Sequence, residues 1–184
     1  MSKFTGGNIL LDGNFILKKV QVSANMKVAD LGCGTIGYFV FPVARIVGQY
    51  GKVYAVDILK TVLEVISKRA KLENLNNIQT IWSNLELFAA TKIESGSIDI
   101  ALLINTLHQS HKRAEILREA VRMLKKEGKL MVVEWDNISS PFGPPPEERV
   151  KIDLIKITAQ KLGLKLEDEF SAGQYHYGVI FVKL

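Results

Sequence analysis

The chain has 184 residues, 47% of them apolar and 23% charged, with a net charge of +5. That is enough chain to bury a real core in one domain, residues 1–184, and the composition excludes a disordered or low-complexity polypeptide. The single cysteine, Cys33, excludes an internal disulfide and a multi-cysteine zinc site. In chain order, residues 8–20 mix apolar residues with a lysine pair and are expected to form a short helix. Lys27–Leu31 reads as a strand that runs into a cluster of glycines. Ile36–Val47 reads as an apolar helix with Pro42 near its start. Lys52–Asp57 is a second strand, and Leu59–Leu72 an amphipathic helix with a Glu64/Lys68 pair. Ile78–Ser83 is a third strand. Ile98–Asn105 (IDIALLIN) is an almost continuous apolar run, as expected for a strand covered on both faces. Lys112–Leu124 is a helix stopped by Gly128, and Lys129–Trp135 (KLMVVEW) a fifth strand.

The rhythm then changes. Residues 141–149 (PFGPPPEER) are a proline-rich loop, either a lid or a fixed wall over a site. Val150–Leu162 reads as a helix, and Leu164–Phe170 and Tyr177–Lys183 as strands. The last two are too close for a parallel crossover and should form an antiparallel hairpin. Strands alternating with helices predict an α/β fold. The expected architecture is a doubly wound, mostly parallel seven-stranded sheet with an antiparallel C-terminal hairpin. The opening MSKFTGGNIL lacks the basic-then-apolar layout of a secretory signal, and no apolar window is as long as a membrane span. A cytoplasmic protein is the expectation.

One stretch carries the chemistry. Residues 28–40 read VADLGCGTIGYFV, in which Gly32, Gly34 and Gly37 match G-x-G-x-x-G between a strand and a helix. Such a turn offers backbone N–H groups and a helix N-terminus to an anion. Asp30, two residues before the first glycine, decides between ligands. A carboxylate at the mouth of the turn repels a dianionic pyrophosphate, but it balances the ammonium of an amino-acid tail and favours a nearby sulfonium. Asp57 closes the second strand, where a carboxylate accepts hydrogen bonds from both ribose hydroxyls. That role suits a dinucleotide or S-adenosylmethionine equally, and an N-cap for the following helix is its structural alternative.

VADLGCGTIG, VYAVDI, WSNLE and DIALLINTLHQS, in this order and spacing, resemble the class I S-adenosylmethionine-dependent methyltransferases. The resemblance covers nearly the whole chain and is nearest to small single-domain members related to the quinone-biosynthesis group. It implies that S-adenosylmethionine is the cofactor. It also implies that Asp30, Gly32 and Gly34 line the methionine part, with Cys33 and Gly37 completing the turn. Asp57 would bind the ribose and Ile58 would pack on adenine. Asn84 would meet the adenine amino group, and Leu85 would offer its N–H to the ring. Asn105 would lie near the sulfonium and the acceptor. One departure is the last glycine, at 37, where many members carry it at position 36.

Methyl transfer is a displacement at an activated carbon, so catalysis is chiefly positioning, with a base only if the nucleophile must lose a proton. His108, just past the fourth strand, is the candidate base, set against a capping role, with Asn105 beside it. His111 reads as a helix-start residue. His176, between Tyr175 and Tyr177, reads as part of an aromatic cluster at the sheet edge. Asp136-Asn137 is similar to the acidic-amide pair of metal-dependent catechol-type methyltransferases. That site also needs an aspartate where this chain has Asn105, so no metal is expected. The N/D-P-P-aromatic motif for methylating base amino groups is absent; Asn105-Thr106-Leu107-His108 stands there.

A small apolar or quinone-like molecule is the first expected acceptor, with RNA or a protein as the alternative. Residues 111–129 hold seven Lys/Arg against three Glu, either a nucleic-acid patch or a solvated helix with Glu115, Arg118, Glu119 and Arg122 paired. Lower alternatives are an NAD(P)-dependent oxidoreductase, which Asp30 and the terminal hairpin oppose, and a non-catalytic cofactor-binding module.

Overall fold

The structure is a computed structural model that describes residues 10–184. The MSKFTGG stretch and the first residues of the expected 8–20 helix lie outside the described residues. Seven strands form: β1 (Lys27–Leu31), β2 (Lys52–Asp57), β3 (Ile78–Trp82), β4 (Ile98–Ile104), β5 (Leu124–Trp135), β6 (Leu164–Gly173) and β7 (His176–Lys183). Five helices accompany them: α1 (Gly13–Lys19), α2 (Val40–Val47), α3 (Lys60–Leu72), α4 (Arg113–Met123) and α5 (Ile152–Lys161). The strands build one sheet in the order β3-β2-β1-β4-β5-β7-β6. β1 to β5 pair in parallel, and β7 lies antiparallel to both β5 and β6. The expected doubly wound α/β sheet with its antiparallel C-terminal pair is the observed fold.

Each face of the sheet buries a separate apolar layer. Ile16, Leu17, Phe41, Val43 and Ile66 of α1, α2 and α3 cover one face over Val28, Ile100, Leu102 and Met131. Ile116, Leu117 and Ala120 of α4 and Ile155 and Ala159 of α5 cover the other over Ala29, Leu31, Leu103 and Val132. This two-sided burial explains the unbroken apolar run of β4. Among the described residues, no helix is long and apolar enough to cross a membrane.

Two boundaries differ from the sequence reading, for backbone reasons. The helix expected from Ile36 begins only at Val40. Gly37 has φ of 57°, a left-handed conformation that cannot continue an α-helix. A side chain there would also collide with Ile66 and Phe41. Pro42 then falls in the first turn, where its missing N–H breaks no helical bond. The helix expected over Lys112–Leu124 ends at Met123, and β5, expected from Lys129, already starts at Leu124. Leu124 pairs with Ile98 and Lys129 with Ile100, so residues 125–128 bulge out, with Glu127 at φ of 63°.

Candidate active site

The chain winds from β1 outward to β3, returns, and continues from β4 toward the other edge. The C-terminal ends of β1 and β4 therefore flank the point where the winding reverses, the place where open α/β sheets bind ligands. Asp30 sits in register between Ala55 of β2 and Leu102 of β4 and is buried. Burial first, and then the neighbouring Asp57 carboxylate, push its carboxyl up to about 7. Asp57 ends β2. Its Oδ2 accepts from the Gly34 amide at 3.1 Å and its Oδ1 from the Leu59 amide at 2.9 Å. It thus ties the glycine turn to Leu59, but it is not the N-cap of α3: that position is Leu59, and the helix has no side-chain cap hydrogen bond.

Four amides of the turn are engaged internally. Gly32 and Cys33 both donate to the Val56 carbonyl, at 2.8 and 3.0 Å, Gly34 to Asp57, and Gly37 to the Gly34 carbonyl at 3.2 Å. What the turn presents is shape and negative charge. Gly34, at φ of 64°, has no heavy atom within 4 Å of where a Cβ would stand, so the turn faces open space there. Two carboxylates flank it. Burial, and then Asp30 and Asp57, push the Cys33 thiol up, which leaves it a small neutral filler.

Beyond β2 and β3, Ile58 and Trp82 are about half exposed, and the Trp82 indole donates to the Ile58 carbonyl at 2.8 Å. Asn84 Oδ1 accepts from the Glu86 amide at 2.9 Å, which shapes the turn after β3, while Leu85 is buried. Across the cleft, Asn105 follows β4 at φ of 54°, a conformation Asn tolerates better than most residues. Its amide donates to the Val133 carbonyl and its carbonyl accepts from Gln109. The next residue, Thr106, donates its hydroxyl to the Leu31 carbonyl at 2.9 Å, which brings the end of β4 against the glycine turn. Asp30, Gly32, Cys33, Gly34, Gly37, Asp57 and Asn105 are thus gathered at one edge, with Ile58, Asn84 and Leu85 on its β3 side.

His108 stands in a short 3₁₀ turn, Leu107–Gln109. Its Nδ1 lies 2.9 Å from Oε2 of Glu134, a residue of β5 with a fully buried side chain. Oε1 of the same carboxylate accepts from the Leu107 amide at 2.6 Å and the His108 amide at 3.3 Å. Sequence reasoning missed Glu134. The available signal was one charge inside the otherwise apolar LMVVEW. Its neighbour Trp135 stacks on His176, with ring centroids 4.1 Å apart. His176 is buried, and among the described residues neither ring nitrogen has a hydrogen-bond partner. Burial first, then the nearby His108 and Arg149, hold its imidazole down to about 4.

The proline-rich loop packs on this cluster. The buried Arg149 guanidinium donates to the carbonyls of Pro144, Asp136 and Ile138. A side chain at Gly143 would run into the Trp135 ring. These contacts describe a wall rather than a free flap. His111 is exposed ahead of α4, apart from the cluster. Asp136 accepts from the Asn137 amide, and among the described residues no group of three or more His, Cys, Asp or Glu could hold a metal ion. The basic stretch is largely paired. Glu115 meets Arg118, Glu119 meets Arg122, Lys125 meets Asp99, and Lys129 meets Glu167.

A family model described as methyltransferase domain matches residues 22–174. The demethylmenaquinone methyltransferase of Lactococcus lactis is 28% identical over 126 residues, covering 68% of this chain and 48% of that protein. The ubiquinone/menaquinone biosynthesis C-methyltransferase of Haemophilus ducreyi is 30% identical over 159 residues, covering 85% of this chain and 57% of that one. The chain thus spans about half the length of the curated relatives it matches. The crystal structure of a SAM-dependent methyltransferase from Aquifex aeolicus superposes with a TM-score of 0.87 at 23% identity, covering 98% of this chain and 94% of that one.

Proposed function

This chain belongs to the methyltransferase domain family, whose cofactor is S-adenosylmethionine, and we propose that it methylates a small apolar acceptor of the quinone-like class. The observation that carries the reading is the pair of carboxylates at the reversal point of the sheet: Asp57, bonded to the Gly34 amide, and the buried Asp30, within electrostatic reach of Asp57 and Cys33. A buried carboxyl held near neutrality by its surroundings is stabilised as the anion by an arriving cation and destabilised by a pyrophosphate. The same site therefore opposes the NAD(P) reading.

In this reading Asp30 balances the ammonium of the amino-acid tail, and Gly32, Cys33, Gly34 and Gly37 shape its bed. Asp57 accepts from the ribose hydroxyls with the lone pairs that Gly34 and Leu59 leave over. Ile58 covers adenine, with Asn84 and the Leu85 amide at its edge. When bound, S-adenosylmethionine supplies a methyl carbon activated by its sulfonium. Asn105 borders the reacting centre, and His108 takes the acceptor's proton. The relatives named for demethylmenaquinone and for ubiquinone/menaquinone biosynthesis support a quinone-like acceptor. The paired state of residues 111–129 gives no separate support to RNA.

Calorimetric titration with S-adenosylmethionine, S-adenosylhomocysteine, NAD and NADP tests the cofactor assignment. Binding of the two adenosyl sulfur compounds alone is the expected result, and binding of a dinucleotide alone would overturn it. His108→Ala is expected to keep S-adenosylhomocysteine affinity and lose turnover; unchanged turnover removes His108 from the mechanism.

A further inference from the structure

Glu134 is hard to explain as a strand residue. It lies in a strand otherwise made of apolar side chains at this end, and its side chain is fully buried. Burying a carboxylate is costly unless hydrogen bonds replace its water. Capping the turn at Leu107–Gln109 takes only Oε1. Oε2 has a different partner, the Nδ1 of His108 at 2.9 Å. An ionised carboxylate can only accept, so the ring must donate from Nδ1. A neutral imidazole with its proton on Nδ1 has its lone pair on Nε2, and among the described residues nothing bonds Nε2. His108 keeps 14% of its side chain exposed, whereas Glu134 has none. The titratable groups facing the ring are Glu134 of β5, at hydrogen-bond distance, and His176 of β7, within electrostatic reach; Arg113 of α4 donates to the Leu107 and Ser110 carbonyls of the same turn.

We propose that Glu134 is the positioning residue for His108, fixing the Nδ1–H tautomer so that Nε2 is the base, and that the acceptor is consequently a nucleophile with a proton to lose. This rests on the methyltransferase reading above and deepens it. The step at His108 is a proton transfer. The acceptor's X–H proton passes to Nε2, while its bonding pair stays on the acceptor, whose electrons form the new bond to the methyl carbon. The positive charge lost from the sulfonium is regained on the imidazolium, which Glu134 faces at hydrogen-bond distance. A thioether or tertiary amine has no proton to give and gains nothing from this arrangement.

Glu134→Gln separates capping from positioning. The amide oxygen can still cap the turn, but an NH₂ at the Oε2 position donates, so Nδ1 must accept and the proton moves to Nε2. Two-bond ¹H–¹⁵N correlation spectra of the labelled ligand-free protein, recorded at alkaline pH, read the tautomer without any acceptor. The expected result is Nδ1–H in the parent and Nε2–H in Glu134→Gln. An Nε2–H ring in the parent overturns the proposal even if the variant fails to fold. With reduced 1,4-dihydroxynaphthalene as the hydroxyl-bearing probe, Glu134→Gln is expected to lower kcat about 100-fold. S-adenosylhomocysteine affinity is expected to stay within about twofold, and Glu134→Asp to recover part of the rate. The acidic limb of the parent's kcat profile should vanish in Glu134→Gln. An unchanged kcat, or transfer by the cofactor-bound parent to dimethyl sulfide or a tertiary amine but not to dihydroxynaphthalene, overturns it. Failure of the parent to bind S-adenosylhomocysteine at all would instead sink the methyltransferase reading and leave the tautomer result standing.

Discussion

On the β1–β2 side of the cleft, the chemistry is held by residues 30–57, one strand-turn-helix-strand unit whose parts touch through Asp57 and the Gly34 amide. On the β4–β5–β7 side, Glu134 reaches His108 from 26 residues away, and His176 arrives from the last strand to stack on Trp135. Both sides bury a titratable group, but of opposite kind. Asp30 is an acid held neutral until about 7, and His176 is a base held neutral down to about 4. Where a site is local in sequence, its negative charge can be read directly. Where it is assembled by strand pairing, its proton chemistry emerges only from the register.

The opposite signs make the comparison testable. Asp30 titrates near 3.8 when unfolded and about 7 when folded. Below the first value both states are protonated, and above the second both are ionised. Between them only the unfolded state ionises, so stability falls as pH rises from about 4 to 7, by about 4 kcal/mol in all. Asp30→Asn should remove this fall in urea titrations of the ligand-free protein. In the parent, S-adenosylhomocysteine should raise Tm more at pH 8 than at pH 5.5, because its ammonium compensates the ionised carboxylate. A Tm gain that shrinks with pH would contradict the role of Asp30.

His176 slopes the other way in an overlapping window. Its unfolded value is 6.5 and its folded value about 4. As pH falls through that interval only the unfolded state takes the proton, and the fold loses about 3 kcal/mol. His176→Phe should flatten the acid side of the stability profile, and the Asp30→Asn background should make the acid loss visible alone. A parent and His176→Phe with parallel profiles from pH 7 to 4 would show that the ring is solvated after all. Next in size, Asp57→Ala removes both the ribose acceptor and the tether of Gly34. It is expected to weaken S-adenosylhomocysteine binding about 100-fold by calorimetry, which is about 2.7 kcal/mol. The same substitution should leave the His108 tautomer unchanged, which keeps the two sides of the cleft separable. The smallest effect is Gly34→Ala. The added methyl meets no protein atom, so only the left-handed backbone is strained, at about 1 kcal/mol. A stability loss of that size with a clear loss of cofactor affinity marks Gly34 as facing the ligand; unchanged affinity would move the cofactor elsewhere.

Much of this architecture was legible from local patterns. β1, β2 and the antiparallel β6–β7 pair follow from apolar runs, glycine boundaries and a short connection. The placement of Asp30 and Asp57 toward the ends of β1 and β2, beside the glycine turn, was readable because both strands are local apolar runs bounded by glycine. The start of α2 was not, because the helical pattern of apolar residues continues through Ile36 while the left-handed Gly37 forbids it. Glu134 escaped because a carboxylate at a strand end looks solvated until β7 covers it and β4 delivers His108. The internal engagement of the Gly32 and Cys33 amides was not legible for a related reason. Their partner, the Val56 carbonyl, belongs to β2, and only the sheet brings it within reach.

The sheet order has a consequence for how the molecule is made. β7 lies between β5 and β6, yet it follows both in the chain. While residues 1–175 emerge from the ribosome, the β1–β4 half can assemble, but Leu130 to Val133 of β5 have no antiparallel neighbour. Such an apolar edge is a template for another chain. A chain cut before residue 176 would leave that edge of β5 bare and is expected to aggregate.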